Sequence, residues 1–443
     1  MQDSVSSVPA NALAANLLAD ETRALLTRLE RIKPFVLSET MVPAAAPSLA
    51  AQAAIEQFLA RGRQALRLLA RDYLRWLHSP AGRRAPPAEA QRRYAILRLR
   101  FNDMLSQLDI FADVVTQRSE RDHGVWLSGL DVVAADAIVL PSRYYDPPPV
   151  VCYLSRGHGA AIRRARTRLP GGGDNPVAII QMPRERMIGS GIASSLVHEV
   201  GHQGAALLDL VNSLHPILRG LQRSGGNEAI AWTFWERWIS EILSDLWSVA
   251  RIGVSAPLGL MGVVSLPRPF VFRVSMDDPH PIPWIRVKLS VAMGDALYPD
   301  PQWRALAATW EALYPKASLS QNKLTLLALL ERTMPAFVSV LLNHRPRSLR
   351  GSSLREVLAS PDRQPSRLRA QFGAWGGSRL KMQAAAPCLV FAAIGQARAD
   401  DRLSPEQEGR MLADLLTDWA MRSTLDTAAI CAAGALRGTA PAA

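Results

Sequence analysis

The chain has 443 residues, 48% of them hydrophobic, with 51 Lys and Arg against 39 Asp and Glu and a formal net charge of +12. That apolar share over that length supports a sizeable buried core and excludes a disordered or collagen-like chain. The three cysteines, Cys152, Cys388 and Cys431, are far apart and form no CxxC pair, which excludes a disulfide-stapled fold and fits a reducing, cytoplasmic setting.

The N-terminal third reads as helix. Residues 1–50 begin polar and then give a helical pattern over Ala12–Ile32. An Ala/Pro connector, Val42–Ser48, leads into two long helix patterns, 49–78 and 88–120. In the second, Leu97, Phe101, Leu105, Leu108 and Val115 keep helical spacing. The Pro- and Gly-containing stretch Ser79–Pro87 breaks the two apart. Residues 1–122 therefore form an N-terminal helical region. Arg63, Arg67, Arg71 and Arg75 recur every four residues on one helix, with Arg61, Arg83, Arg84, Arg92 and Arg93 nearby. This is either a solvated, ion-paired face or a surface for an anionic partner such as nucleic acid, an acidic protein or a phospholipid headgroup. Tyr73, Trp76 and Tyr94 read as core. The N-terminus, with Asp3, lacks a basic-then-apolar signal pattern. No run of eighteen uncharged apolar residues occurs, so no transmembrane span is expected.

From about residue 125 the texture changes. Val132–Leu140, Pro149–Leu154 and Val177–Met182 read as strands, with Gly171–Asn175 as a turn. Gly171–Gly173 is no phosphate loop, because no GK[ST] follows. Next comes an apolar helix, Ile192–Leu208, carrying His198-Glu199-Val200-Gly201-His202, an HExxH pattern. Residues four apart share a helix face, so the two imidazoles can bind one zinc ion and Glu199 can act as general base. A catalytic zinc needs a third protein ligand. The extension HExxHxxGxxH fails, since Ala205 and Leu208 occupy its Gly and His positions. Downstream, Glu241 and Asp245 lie four apart on one helix. Glu241 suits the third ligand position, and Asp245 suits the free N–H of a ligand histidine. Glu228, after Gly225-Gly226-Asn227, competes for the ligand position, but Trp232 stands where a supporting carboxylate would be. Trp232, Trp235, Trp238 and Trp247 read as core.

On these residues the chain resembles the gluzincins, the HExxH…E metallopeptidases. Ser240-Glu241-Ile242-Leu243-Ser244-Asp245 differs from the thermolysin-like NExxSD only at Ser240, a position expected not to touch a ligand. The resemblance covers roughly residues 175–250, and the gap from His202 to Glu241 implies a looped-out insertion. It implies a zincin-like unit, with a small sheet beside the HExxH helix whose edge strand holds the substrate by strand addition; Asn175–Met182 is the candidate edge strand. His280-Pro281, followed by Arg286, resembles a segment of the CAAX-prenyl-protease-like gluzincins. That likeness implies His280 or Arg286 as a catalytic donor to the oxyanion.

Residues 251–285 read as a loop, with Ala256–Pro267 as buried loop or strand. Residues 285–345 are mostly helical, Pro346–Arg369 is rich in Arg, Ser and Pro, and helices close the chain near 385–398 and 404–436. Ser404-Pro405-Glu406-Gln407 forms a capping box. Asp400–Leu403 lacks the ligand spacing of a calcium loop. The expected fold is α+β and mostly helical, with a zincin-like core at 123–290 between helical regions 1–122 and 291–443. The expected function is a zinc metallopeptidase; lacking a GAMEN-like segment, it leans toward endopeptidase. The alternative is a non-catalytic zincin-scaffold binding or regulatory protein using its basic helices.

Overall fold

The computed structural model of the chain describes residues 10–31, 41–155, 159–184, 189, 191–275 and 277–438. Residues 1–9, at the polar start of the chain, lie outside the described residues. The fold is α+β and mostly helical, with one three-stranded sheet.

Helices α1 (Ala10–Arg31), α2 (Leu49–His78) and α4 (Pro87–Thr116) pack as a bundle, and the short α3 (Pro80–Arg84) turns the chain between the last two. Ser48 opens α2 by accepting the N–H of Ala51. Leu66, Ala70, Tyr73 and Leu77 then recur at helical spacing against Tyr94, Leu97, Phe101 and Met104 of α4. Tyr73, Tyr94 and most of Trp76 thus belong to a core.

Helix α5 (Arg121–Ile138) overturns the strand expected at Val132–Leu140. Leu127, Leu130, Ala134, Ala137 and Ile138 are buried at a 3.6-residue period. Two adjacent valines inside that period imitate strand texture, and burial on the helical face decides. Strands do form at β1 (Val150–Ser155) and β3 (Ala178–Pro183), with the short β2 (Ala161–Arg163) between them in sequence. The sheet order is β1-β3-β2, β1 running parallel and β2 antiparallel to β3. The expected edge strand is therefore the central one. β1 and β2 are the edges, and β2 pairs with β3 over only Ala161–Arg163 before the chain turns. Side chains alternate across the sheet: Val151 and Ile179 face α2 and α4, whereas Cys152, Ile180 and Met182 face the main core. Arg118, fully buried, locks β1 to α5. Its guanidinium pairs with Asp131 at 2.9 Å and donates to the Cys152 carbonyl, while Asp131 accepts the N–H of Cys152 at 2.7 Å.

Helices α6 (Gly191–Leu207), α7 (Leu210–Ser224), α8 (Ala229–Arg237) and α9 (Ile239–Ile252) follow. The expected loop at 251–285 instead contains α10 (Ser255–Val264) and α11 (Arg268–Val271). Pro257 sits in the first turn of α10, where backbone N–H groups have no intrahelical partner to lose, so it opens a helix rather than excluding one. The remaining helices are α12 (Pro283–Leu297), α13 (Gln302–Leu313), α14 (Gln321–Asn343), α15 (Leu354–Leu358), α16 (Pro365–Trp375), α17 (Arg379–Gln383), α18 (Pro387–Ala399) and α19 (Pro405–Gly438). The capping box at α19 forms: Ser404 N–H donates to Gln407 Oε1, and Gln407 N–H to Ser404 Oγ.

A continuous apolar cluster runs from Leu127 to Trp419. The boundaries read from composition, 122/123 and 290/291, both fall inside helices, α5 and α12. Among the described residues, α14 alone is long and apolar enough to cross a bilayer. It also carries Glu331, which pairs with Lys288 at 2.5 Å and Lys316 at 2.7 Å, and it buries Leu330, Phe337, Leu341 and Leu342.

Candidate metal centre

Two glycines let the HExxH helix approach α9. A Cβ on Gly201 would lie 2.8 Å from Ser244 Cα, and one on Gly204 would lie 2.5 Å from the Trp247 ring. With these positions bare, α6 and α9 come close enough for His198 and His202 to meet Glu241 across the gap.

His198 Nε2 is 3.2 Å from Glu241 Oε2, and His202 Nε2 is 3.4 Å from Glu241 Oε1. One ligand atom from each of the three residues lies within 4.8 Å of the others. Two donors about 2.1 Å from one ion at a tetrahedral angle sit roughly 3.4 Å apart. The two His–Glu separations match that value better than the roughly 2.8 Å of a direct charge-assisted hydrogen bond. The donor set, two imidazoles and a carboxylate, fits a metal ion.

The far sides of both imidazoles are anchored. His198 Nδ1 lies 2.8 Å from Asp245 Oδ1, and Ser240 Oγ lies 3.3 Å from His202 Nδ1. Anchoring at Nδ1 turns Nε2 toward the centre and fixes the tautomer that can ligate. Ser240, expected to touch no ligand, is thus in contact with one. It lies one residue before Glu241 on the same helix, and its hydroxyl falls beside the second histidine. Asp245 is itself held by Arg286, whose Nε and Nη2 reach its two oxygens at 2.7 and 2.9 Å.

Burial pulls the His198 imidazole pKa down, but the Asp245 carboxylate outweighs it and lifts the value to about 9. Burial raises the Asp245 carboxyl, whereas Arg286 and His198 together hold it at about 2. Burial likewise opposes ionisation of Glu241, and hydrogen bonding to the two histidines drives it well below the carboxylate range. Glu199 is the exception. Burial raises its carboxyl, and the neighbouring histidines only partly offset this. A buried carboxyl with a raised pKa has the character of a general base poised for proton transfer.

Glu199 and His198 line a cavity of about 140 Å³, with Ser195, Leu260 and His280 among its walls. The cavity also reaches Gly159 and Ala160, just before edge strand β2. His280 is half-exposed at its rim. Its Nδ1 faces Asp278 Oδ1 at 2.8 Å, and its Nε2 lies 3.3 Å from Glu241 Oε2. Arg286 is buried, with its guanidinium committed to Asp245 and 3.5 Å from Glu241 Oε2. Glu228 is not part of this cluster; it sits in an exposed turn and pairs with Arg332 at 3.0 Å.

Sequence reasoning missed Gln203. This fully buried residue follows His202, and its Oε1 accepts the N–H of Ala165 at 2.7 Å, tying α6 to the end of β2. A glutamine inside an otherwise apolar helix is the signal that could have found it.

Compared with known proteins, the chain matches no protein-family model, no curated protein and no solved structure.

Proposed function

We propose that the protein is a zinc-dependent metallopeptidase with a zincin-like catalytic unit. One observation carries the reading: His198, His202 and Glu241 converge with anchored rings beside a cavity walled by Glu199, a buried carboxyl of raised pKa. Two nitrogens and one oxygen from protein leave a position open, the pattern of a catalytic rather than a structural zinc. Zinc bound there supplies Lewis-acid polarisation of a peptide carbonyl and lowers the pKa of an attacking water.

The chain's own residues supply the rest. Glu199 accepts a proton from the water as its oxygen bonds to the scissile carbonyl carbon. It then delivers that proton to the amine as the C–N bond breaks. His280, steadied by Asp278 at Nδ1, faces the same cavity and, in its doubly protonated form, donates from Nε2 to the carbonyl oxygen as charge develops there. Arg286 acts one step back: it holds Asp245, which holds His198, and is a positioning residue. β2 offers its open edge to an extended peptide, in place of the central β3.

The test uses purified full-length protein and a mixed peptide library with mass-spectrometric readout. Wild type carries about one zinc per chain and cleaves. Glu199→Gln keeps the zinc and loses turnover by at least about 10³-fold. Cleavage retained in Glu199→Gln, or zinc retained in His202→Ala, would falsify the proposal.

A further inference from the structure

Between residues 61 and 100 the chain holds eleven arginines and two acidic residues, and both acids are already engaged: Asp72 pairs with Arg75, and Glu89 with Arg93. This charge sits on the α2–α4 hairpin, away from the metal centre. Within it, Gln91–Arg100 of α4 contains four basic side chains, Arg92, Arg93, Arg98 and Arg100, all exposed, and no Asp or Glu.

The same turns of α4 carry aliphatic side chains that the bundle does not use. Tyr94, Leu97, Phe101 and Met104 face the core, whereas Ile96 and Leu99 stand 61% and 63% exposed on the other side. Ile96 and Leu99 are three apart and form one ridge. On the helical repeat, Arg93 and Arg100 flank the ridge on one side and Arg98 on the other, with Arg92 one turn before Ile96. Leu69 of α2, 49% exposed, shares a groove with Arg100 and extends the apolar strip to the neighbouring helix. Among the described residues, Arg92 and Arg98 have no acidic partner.

We propose that this ridge docks the protein on a membrane surface bearing anionic phospholipid headgroups. Ile96 and Leu99 enter the boundary between headgroups and acyl chains, and the flanking arginines extend their stems alongside to meet phosphate. Aliphatic side chains projecting between the basic ones select a bilayer over single-stranded nucleic acid, which is held by aromatic stacking. The inference does not depend on the proposed peptidase activity.

The test is flotation of the full chain with phosphatidylcholine vesicles, with and without about 30% phosphatidylserine, at low salt and at about 0.5 M salt. Binding is expected only to the anionic vesicles, with at least about a tenfold loss at high salt. Ile96→Ser with Leu99→Ser, both surface changes, weakens binding about tenfold while circular dichroism stays unchanged. Arg92→Glu with Arg98→Glu abolishes it. Equal binding to both vesicle types, or none to either, overturns the proposal. So does anionic binding that is indifferent to Ile96 and Leu99, or a preference for a single-stranded RNA competitor over the vesicles.

Discussion

His198 gathers three influences on one ring: Asp245 on Nδ1, Glu241 near Nε2, and Arg286 behind Asp245. Lifted to about 9, the imidazole carries a proton at neutral pH in the metal-free protein. A metal must expel that proton to reach Nε2, so loading releases protons and affinity rises with pH until about 9. Zinc titrations in weakly buffered solution check this; an affinity flat between pH 6 and about 9 contradicts it. Asp245→Asn removes the carboxylate that orients the ring and takes from buried Arg286 its nearest carboxylate, so zinc affinity drops about 10- to 100-fold. Competition with a chromogenic chelator measures that loss. At this scale the sequence was informative where spacing carries chemistry: two histidines four apart, and a glutamate and aspartate four apart. It was silent on Ser240, because whether a small hydroxyl reaches His202 depends on how closely two helices pack.

At the scale of elements, the edge strand is the instructive case. β2 pairs over only three residues, Ala161–Arg163, of the five from Gly159 that precede the turn. So short a ladder is held by buried amides: Gln203 takes Ala165 N–H, and Asn175 Nδ2 donates to the carbonyls of Arg163 and Arg164. Gln203→Met keeps the volume, removes the acceptor and leaves a buried N–H unsatisfied, at a cost of about 1–3 kcal/mol. The expected result is a several-fold rise in KM for peptides with zinc content unchanged; unaltered KM would show that β2 keeps its place without Gln203. Such a strand is hard to read in advance, since three residues, two of them exposed, show no alternation. Helix α5 shows the converse: its valines suggest a strand, and only the spacing of Leu127, Leu130, Ala134 and Ala137 reveals a helix. The long helices α2, α4 and α19 were legible because their apolar periods run for many turns.

Over the whole molecule, the proposed metal centre depends on distant sequence. α12 brings Arg286, and its Lys288 reaches Glu331 on α14, which also binds Lys316. Both lysines lie about 5 Å from the Trp284 ring, at 4.9 and 5.0 Å. Burial raises the Glu331 carboxyl, but hydrogen bonds from the two lysines bring it below its ordinary value. A depressed carboxyl stabilises the fold above the ordinary carboxylate range, and the contribution fades as pH falls through the folded-state value. Glu331→Gln therefore lowers Tm at pH 7, and its gap from wild type narrows on acidification; thermal melts across pH 3 to 7 follow it. A gap that widens in acid would contradict the assignment. Composition could not foresee this arrangement, because contacts between helices some forty residues apart leave no local trace.

The Arg118–Asp131 pair gives the sheet an uneven exchange with solvent. The Cys152 N–H donates to a carboxylate that is itself clamped by a buried guanidinium. Its deuterium uptake should therefore wait for opening of the whole core. β2, with one side unpaired and three residues of ladder, should exchange within its own small fluctuations. One sheet would then hold both a very slow and a very fast set of amides, and a peptide seated along β2 would announce itself by slowing only the second.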